Sequence, residues 1–186
     1  MKKLWFLVLV ALLLCACSAE NPGFDRAMAL RTSLLNGTGC QFDAQITADF
    51  GDKTYSFLLA CQVDEQGSVH FTVEEPKYIE GISGTVQAMA GKLVFDDTAL
   101  AFPLQADGLL SPVSGPWIVI KALRSGYVRH CGKEDGLFRM TVDDSFSDDA
   151  LTLHIWIDGN NGPVQAEIFE NNRRIMVVQI KNFQML

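Results

Sequence analysis

Residues 40–50 read CQFDAQITADF, and apolar and polar side chains alternate along the whole stretch. A period of two is typical of a strand with one face in a core and the other in water. Residues 55–63 and 69–73 alternate in the same way, and the turn-forming segments 51–52 and 64–67 separate the three stretches. Together they predict an antiparallel meander.

Strand-like stretches continue on both sides of one apolar helix. Residues 117–123 follow Pro116 and precede Gly126, and their mostly apolar side chains predict a short helix buried on more than one side. Residues 24–35 carry apolar side chains at roughly helical spacing and predict an amphipathic first helix. The other predicted strands cover residues 85–89, 93–95, 100–104, 127–131, 137–142, 151–157, 164–169 and 175–183.

The N-terminus has the features of an export signal. Lys2 and Lys3 precede the apolar run 4–14, which is too short for a permanent membrane span. The run ends in Leu14-Cys15-Ala16-Cys17, which resembles a bacterial lipobox. The resemblance implies that Cys17 carries a diacylglyceryl group and is acylated on its amine after cleavage. Cys15 fits the pattern badly because the large Leu14 precedes it.

This signal predicts three parts: a signal peptide at 1–16, a lipidated tether at 17–21 and a single domain at 22–186. The protein would be held at the extracytoplasmic face of the cell membrane, or at an outer membrane if the host has one. Two or more acyl chains anchor a protein stably, whereas one does not. A plain secretory signal cut near Ala19, which would discard Cys17, is the alternative.

The charge balance limits the partners. The 186 residues include 15 Lys and Arg and 22 Asp and Glu, a net charge of −7. Loss of Lys2 and Lys3 with the signal moves the net charge to −9. This acidity argues against nucleic acid and against a polybasic attachment to anionic lipid. The membrane is therefore a partner through the acyl chains on Cys17.

The element order resembles a known architecture. An N-terminal amphipathic helix and about eleven strands interrupted by a buried helix are similar to the lipoprotein-carrier (LolA/LolB-like) family of bacterial envelopes. The segments at 79–84, IEGISG, and at 93–97, LVFDD, also resemble segments of lipidated relatives in endospore-forming anaerobes. The resemblance implies an α+β, mostly β fold: one strongly curved antiparallel sheet, an unclosed barrel, covered by the N-terminal helix and the mid-chain helix.

The same resemblance implies a function without catalysis or a cofactor. An acyl lipid or another amphiphile would lie between the concave sheet and the helices. The alternative is a protein-interaction module that docks a cell-envelope enzyme, with the cavity filled by its own side chains. The candidate cavity residues are Phe42, Ile46, Phe57, Leu59, Phe71, Phe95, Trp117 and Ile120.

Few residues suggest catalysis or a metal. No Gly-x-Ser-x-Gly motif is present, and His70, His130 and His154 are scattered along the chain. The carboxylates of 143–144 and 148–149 could attract calcium, but their spacing does not match an EF-hand. A solvated turn explains them better, so we expect no metal site and no enzyme.

Three cysteines remain after Cys17, in a compartment where disulfides persist. If a four-residue loop, 49–52, joins the first two strands, Cys40 lies opposite Cys61 and the pair can form a disulfide. A two-residue turn at 51–52 would instead place them diagonally. We expect a Cys40–Cys61 disulfide with Cys131 free, and two reduced, buried cysteines are the alternative.

Overall fold

The computed structural model of the chain describes residues 22–186 except 88–89, 96–97, 104, 107–108 and 161, and gives only strand backbone for 90, 95, 98–103, 105–106 and 109. The signal peptide, the tether and Cys17 lie outside the described residues. No helix of the described part combines the length and the apolar character that a membrane span requires.

Two helices and thirteen strands are described. In chain order they are α1 (Pro22–Asn36), β1 (Gly39–Asp49), β2 (Thr54–Asp64), β3 (Val69–Glu75), β4 (Ser83–Gln87), β5 (Ala90–Phe95), β6 (Thr98–Pro103), β7 (Gln105–Ala106), β8 (Leu109–Leu110), α2 (Gly115–Ser125), β9 (Tyr127–Glu134), β10 (Leu137–Asp143), β11 (Thr152–Ile157), β12 (Pro163–Glu170) and β13 (Arg173–Met185). Short 3₁₀ turns lie at Lys77–Ile79 and Pro112–Ser114.

Eleven of the described strands form one antiparallel sheet. Its order is β6-β5-β4-β3-β2-β1-β13-β12-β11-β10-β9, so the last strand pairs with the first and joins two meanders. The described residues of β6 and β9 do not pair with each other, which leaves the sheet unclosed. The predicted mostly β, antiparallel, unclosed architecture is confirmed. A separate two-stranded ribbon, β7–β8, lies between β6 and α2 in the chain.

The register of the paired strands aligns the buried side chains of the core. One row of buried side chains crosses the sheet because each member lies opposite the next. The row consists of Ile46, Val178, Ala166, Ile155, Met140 and Cys131. Each large apolar side chain in such a row stabilises the fold by about 1.5–3 kcal/mol.

Both helices lie against this inner face. Helix α2 buries Ile118, Val119, Ile120, Ala122 and Leu123, and it contacts β10, β11 and β13. Its first residue, Gly115, packs so closely that an added Cβ would lie 2.6 Å from Met176 Sδ. Helix α1 buries Ala27, Leu30 and Leu34 and contacts α2, β9 and β10.

The register of β1 and β2 corrects the disulfide prediction. Phe50 N donates to Lys53 O, so a two-residue tip closes the hairpin. Cys40 therefore lies opposite Val63, and Cys61 lies opposite Phe42. The two cysteines share a face as diagonal neighbours, about 7–8 Å apart, beyond the Cα separation that a disulfide spans. Cys40 and Cys61 are both free, buried thiols, and Cys131 is also buried.

Candidate functional site

The predicted cavity residues do not surround one open space. Five of them are core residues with at most 3% exposure: Phe42, Ile46, Leu59, Phe71 and Ile120. Phe57 and Trp117 are half-buried and pack against that core. The side chain of Phe95 lies outside the described residues. The apolar side chains of α2 are buried against the inner face of the sheet, and the three clefts described below lie beside the helices or on the outer face of the sheet.

The two helices are joined by a pair of arginines. Arg31 of α1 donates from Nε to Leu123 O at 2.8 Å and from Nη2 to Gly126 O at 2.6 Å. Arg124 of α2 donates to Leu34 O at 2.6 Å and to Glu65 O, in the β2–β3 turn, at 2.8 Å. Each arginine thus satisfies carbonyl groups that a helix C-terminus leaves without intrahelical partners.

A cleft of about 460 Å³ lies beside Trp117. We call it the Trp117 cleft. The β2–β3 turn, the end of β4, the end of α1 and one face of α2 form its walls. Its lining residues are Leu35, Gln66, Gly67, Ser68, Gln87, Trp117, Lys121, Arg124 and Ser125. Trp117, Lys121 and Arg124 recur at i, i+4 and i+7, so one face of a helix presents them together.

The Trp117 cleft is cationic in an acidic protein. No Asp or Glu is among its lining residues, whereas Lys121 and Arg124 are. Lys121 Nζ lies 5.6 Å from the centroid of the Trp117 ring and 2.9 Å from Asp144 Oδ2. Arg124 is absent from the ion pairs of the described residues, and its two described hydrogen bonds go to uncharged carbonyls. The helical spacing of these residues was visible in the sequence, but their position at a cleft was not.

A second cleft, of about 400 Å³, lies between α1 and the ends of β12 and β13. Leu30, Ile180 and Phe183 give it an apolar floor, and Asp158 stands at its rim. The Asp158 carboxylate accepts hydrogen bonds from the backbone amides of Asn160 and Gly162, which shapes the loop.

A third depression, of about 440 Å³, lies on the outer face of β2–β5. At its edge, His70 Nε2 lies 3.5 Å from Asp64 Oδ2, and His70 Nδ1 lies 3.0 Å from Thr85 Oγ1. This carboxylate–imidazole–hydroxyl chain has the order of a catalytic triad. However, the His70 side chain is 51% exposed. Thr85 lies in the middle of β4, whose backbone pairs with β3 on one side and with β5 on the other. The arrangement of Asp64, His70 and Thr85 provides no oxyanion site. Its effect is to hold the imidazole ring of His70 in one orientation.

Two of the four carboxylates at the β10–β11 turn have protein partners. Asp143 accepts from Thr152 Oγ1, and Asp144 accepts from the backbone amide of Leu151 and from Lys121. Asp148 and Asp149 are exposed. No metal-binding group of His, Cys, Asp and Glu is found among the residues that the structure describes.

The buried thiols are poor nucleophiles. Burial raises the pKa of the Cys40 thiol to about 12, although the positive charge of Arg124 opposes the shift. Burial also raises the pKa of Cys61, with help from Asp43, and that of Cys131. Because the thiolate is the reactive form, these cysteines are structural rather than catalytic.

No protein-family model and no curated protein matches the sequence. Among solved structures, the chain is similar to an uncharacterised conserved protein of Thermus thermophilus, with 10% identity, a TM-score of 0.48 and coverage of 91% of this chain and 88% of that one. It is similar to a LolA superfamily protein of Nitrosomonas europaea, with 9% identity, a TM-score of 0.48 and coverage of 86% and 93%. It is also similar to the lipoprotein LppX of Mycobacterium tuberculosis, with 11% identity, a TM-score of 0.41 and coverage of 87% and 93%.

At 9–11% identity, a shared ligand does not follow from a similar chain path. The predicted closeness to lipoproteins of endospore-forming anaerobes has no support in these similarities.

Proposed function

We propose that this protein is a membrane-tethered, extracytoplasmic, non-catalytic protein that binds an anionic amphiphile in the Trp117 cleft. The observation that carries the proposal is the composition of that cleft. It combines a half-buried indole ring with two cationic side chains, and no carboxylate lines it.

The two parts of such a ligand match two parts of the cleft. Trp117 and the half-exposed Leu35 offer apolar surface to a chain. Lys121 and Arg124 offer charge to a phosphate or carboxylate, and Gln66, Ser68 and Gln87 add uncharged polar groups. A Trp ring is suited to this role because its body is apolar and its rim can donate a hydrogen bond.

The tether is part of the proposal. If Cys17 is lipidated, residues 17–21 form the connection to α1, which starts at Pro22. Five extended residues reach at most about 17–18 Å. The start of α1 would therefore remain near the headgroup region, where anionic amphiphiles are found.

A docking module is the second candidate, and one observation favours it. The five buried apolar residues of α2 occupy the space that an acyl chain would need in the centre of the half-barrel. A chain with no room for a ligand would have to act through its surface.

A single-tryptophan variant distinguishes the two candidates. In the unlipidated mature chain, Trp156→Phe leaves Trp117 as the sole tryptophan. We expect lysophosphatidylglycerol to change Trp117 emission with an affinity about tenfold higher than that of lysophosphatidylcholine of the same chain length. An ionic contact to a half-buried cation gives a preference of this order, about 1.4 kcal/mol.

Lys121→Gln should remove most of this preference. Lys133→Gln is the matched control, because Lys133 is an exposed cation on β9 outside the cleft. Equal affinity for the two lipids would refute an anionic ligand. No emission change with either lipid, together with the absence of extractable lipid from the purified protein, would favour the docking module.

A further inference from the structure

A trough lies on the outer face of β2–β5, and the pairing register of these strands explains its position. On this face, one row across the strands consists of Ala60, Thr72, Ser83 and Val94, each opposite the next. The adjacent row has longer side chains at most positions: Gln41, Gln62, His70 and Thr85, and it continues to Lys92, which is not among the residues that line the cavity. Short side chains beside long ones leave a depression that runs across the strands, and the 440 Å³ cavity lies there.

The lining of the trough is polar but carries no formal charge from Asp, Glu, Lys or Arg. Cys61 and Phe71 also border it, but the alternation directs these buried side chains to the inner face. The polar side chains that line it are Gln41, Gln62, His70, Thr72, Ser83 and Thr85. Each amide or hydroxyl of this set both donates and accepts hydrogen bonds.

This chemistry restricts the ligand. An apolar ligand would remove six polar side chains from water without giving them partners, which is costly. A charged ligand would find no Asp, Glu, Lys or Arg among the lining residues to oppose its charge. A neutral ligand rich in hydroxyl groups would match the lining, because its hydroxyls also donate and accept.

The dimensions favour a chain of sugar units over a single one. The trough crosses four adjacent strands, β2 to β5, and three strand spacings span about 14 Å. His70 stands on its wall with a fixed ring, because Thr85 and Asp64 contact its two nitrogens. A fixed ring loses little conformational entropy when a ligand binds.

We propose that this outer trough binds a neutral oligosaccharide. The site is separate from the Trp117 cleft, with which it shares no lining residue, and the proposal does not depend on the proposed function.

The test is amide chemical-shift mapping of the ¹⁵N-labelled, unlipidated mature chain. The probes are chitotetraose, cellotetraose and maltotetraose, with glucose and trigalacturonate for comparison. We expect at least one neutral tetrasaccharide to shift amides of β2–β5, and glucose and trigalacturonate to bind at least about tenfold more weakly, a difference of about 1.4 kcal/mol.

Variants then assign the site. Thr72→Val keeps the shape of the side chain and removes its hydroxyl, and we expect a roughly fivefold to tenfold loss of affinity for one hydrogen bond. Thr141→Val is the control, because Thr141 lies on the outer face of β10, paired with His154, away from the trough. Ser83→Ala provides a second variant should Thr72→Val perturb the amide spectrum as a whole.

Three results would overturn the proposal. The first is the absence of shifts in β2–β5 with any neutral tetrasaccharide at about 10 mM, a concentration that detects millimolar affinities. The second is equal binding of trigalacturonate. The third is a loss of affinity in Thr141→Val as large as that in Thr72→Val or Ser83→Ala.

Discussion

Arg31 and Arg124 each bind the C-terminal end of the helix that carries the other. Arg31 donates from α1 to the last turn of α2, and Arg124 donates from α2 to Leu34 O in the last turn of α1. A second bond from Arg124, to Glu65 O, ties the pair to the β2–β3 turn. The cover of the half-barrel is therefore held by charge-assisted hydrogen bonds as well as by apolar packing.

The first prediction concerns this pair. Arg31→Met keeps most of the aliphatic stem and removes all donors, so partly buried carbonyls at the end of α2 lose their partners. We expect a loss of about 1.5–3 kcal/mol in the free energy of unfolding, measured in urea. Arg129→Met is the control, because Arg129 forms an exposed ion pair with Asp143 at 3.4 Å, and its loss should cost at most about 1 kcal/mol. Equal losses in the two variants would contradict the role of Arg31.

The second prediction concerns Gly84. Gly84 lies opposite Phe71, and a Cβ at this position would be 2.6 Å from Phe71 Cζ and 2.7 Å from Lys92 O. We expect Gly84→Ala to destabilise the fold by about 1–3 kcal/mol, because the ring and a backbone carbonyl must both move. Adding Phe71→Leu should recover part of the loss.

Gly159→Ala is the control for this prediction. An added Cβ at Gly159 meets nothing within 4 Å, and its change in stability should stay within about 0.5 kcal/mol. A Gly84→Ala variant as stable as Gly159→Ala would show that the Phe71 ring has more room than the structure gives it.

The third prediction is a pH dependence that comes from Cys40. The folded chain keeps this thiol protonated up to a pKa of about 12, against an ordinary value of 9.0. The unfolded chain binds fewer protons between these values, so this contribution to stability is complete below pH 9 and is lost as the pH rises toward 12. Cys40→Ala should flatten the decline in unfolding free energy above pH 9.

Parallel pH curves for the wild type and Cys40→Ala would contradict this prediction. Peptide mapping without reductant tests the same residues independently. We expect Cys40 and Cys61 to be recovered as free thiols, since the register keeps them diagonal.

The fourth prediction concerns the anchor. Incorporation of a labelled fatty acid should be lost in Cys17→Ala and retained in Cys15→Ala, because Cys17 follows the small Ala16 whereas Cys15 follows the large Leu14. Label that persists in Cys17→Ala would exclude Cys17 as the lipidated residue.

Local patterns in the sequence determined most of the elements. The alternation at 40–50 predicted β1, observed at Gly39–Asp49, and the spacing at 24–35 predicted α1, observed at Pro22–Asn36. Both patterns are local, since burial of one face repeats every two residues in a strand and about every 3.6 in a helix. The same patterns marked Ile46 and Leu59 as inward-facing, and both are fully buried.

Tertiary structure alone decided the register, the filling of the half-barrel and the position of the clefts. Whether Cys40 faces Cys61 or Val63 depends on how the tip at Gly51 and Asp52 closes, and both closures keep the same alternation. The apolar face of 117–123 was compatible with lining a cavity or filling it. Only the packing of α2 against β10, β11 and β13 distinguished these outcomes, because a cavity is the space left by residues far apart in the chain.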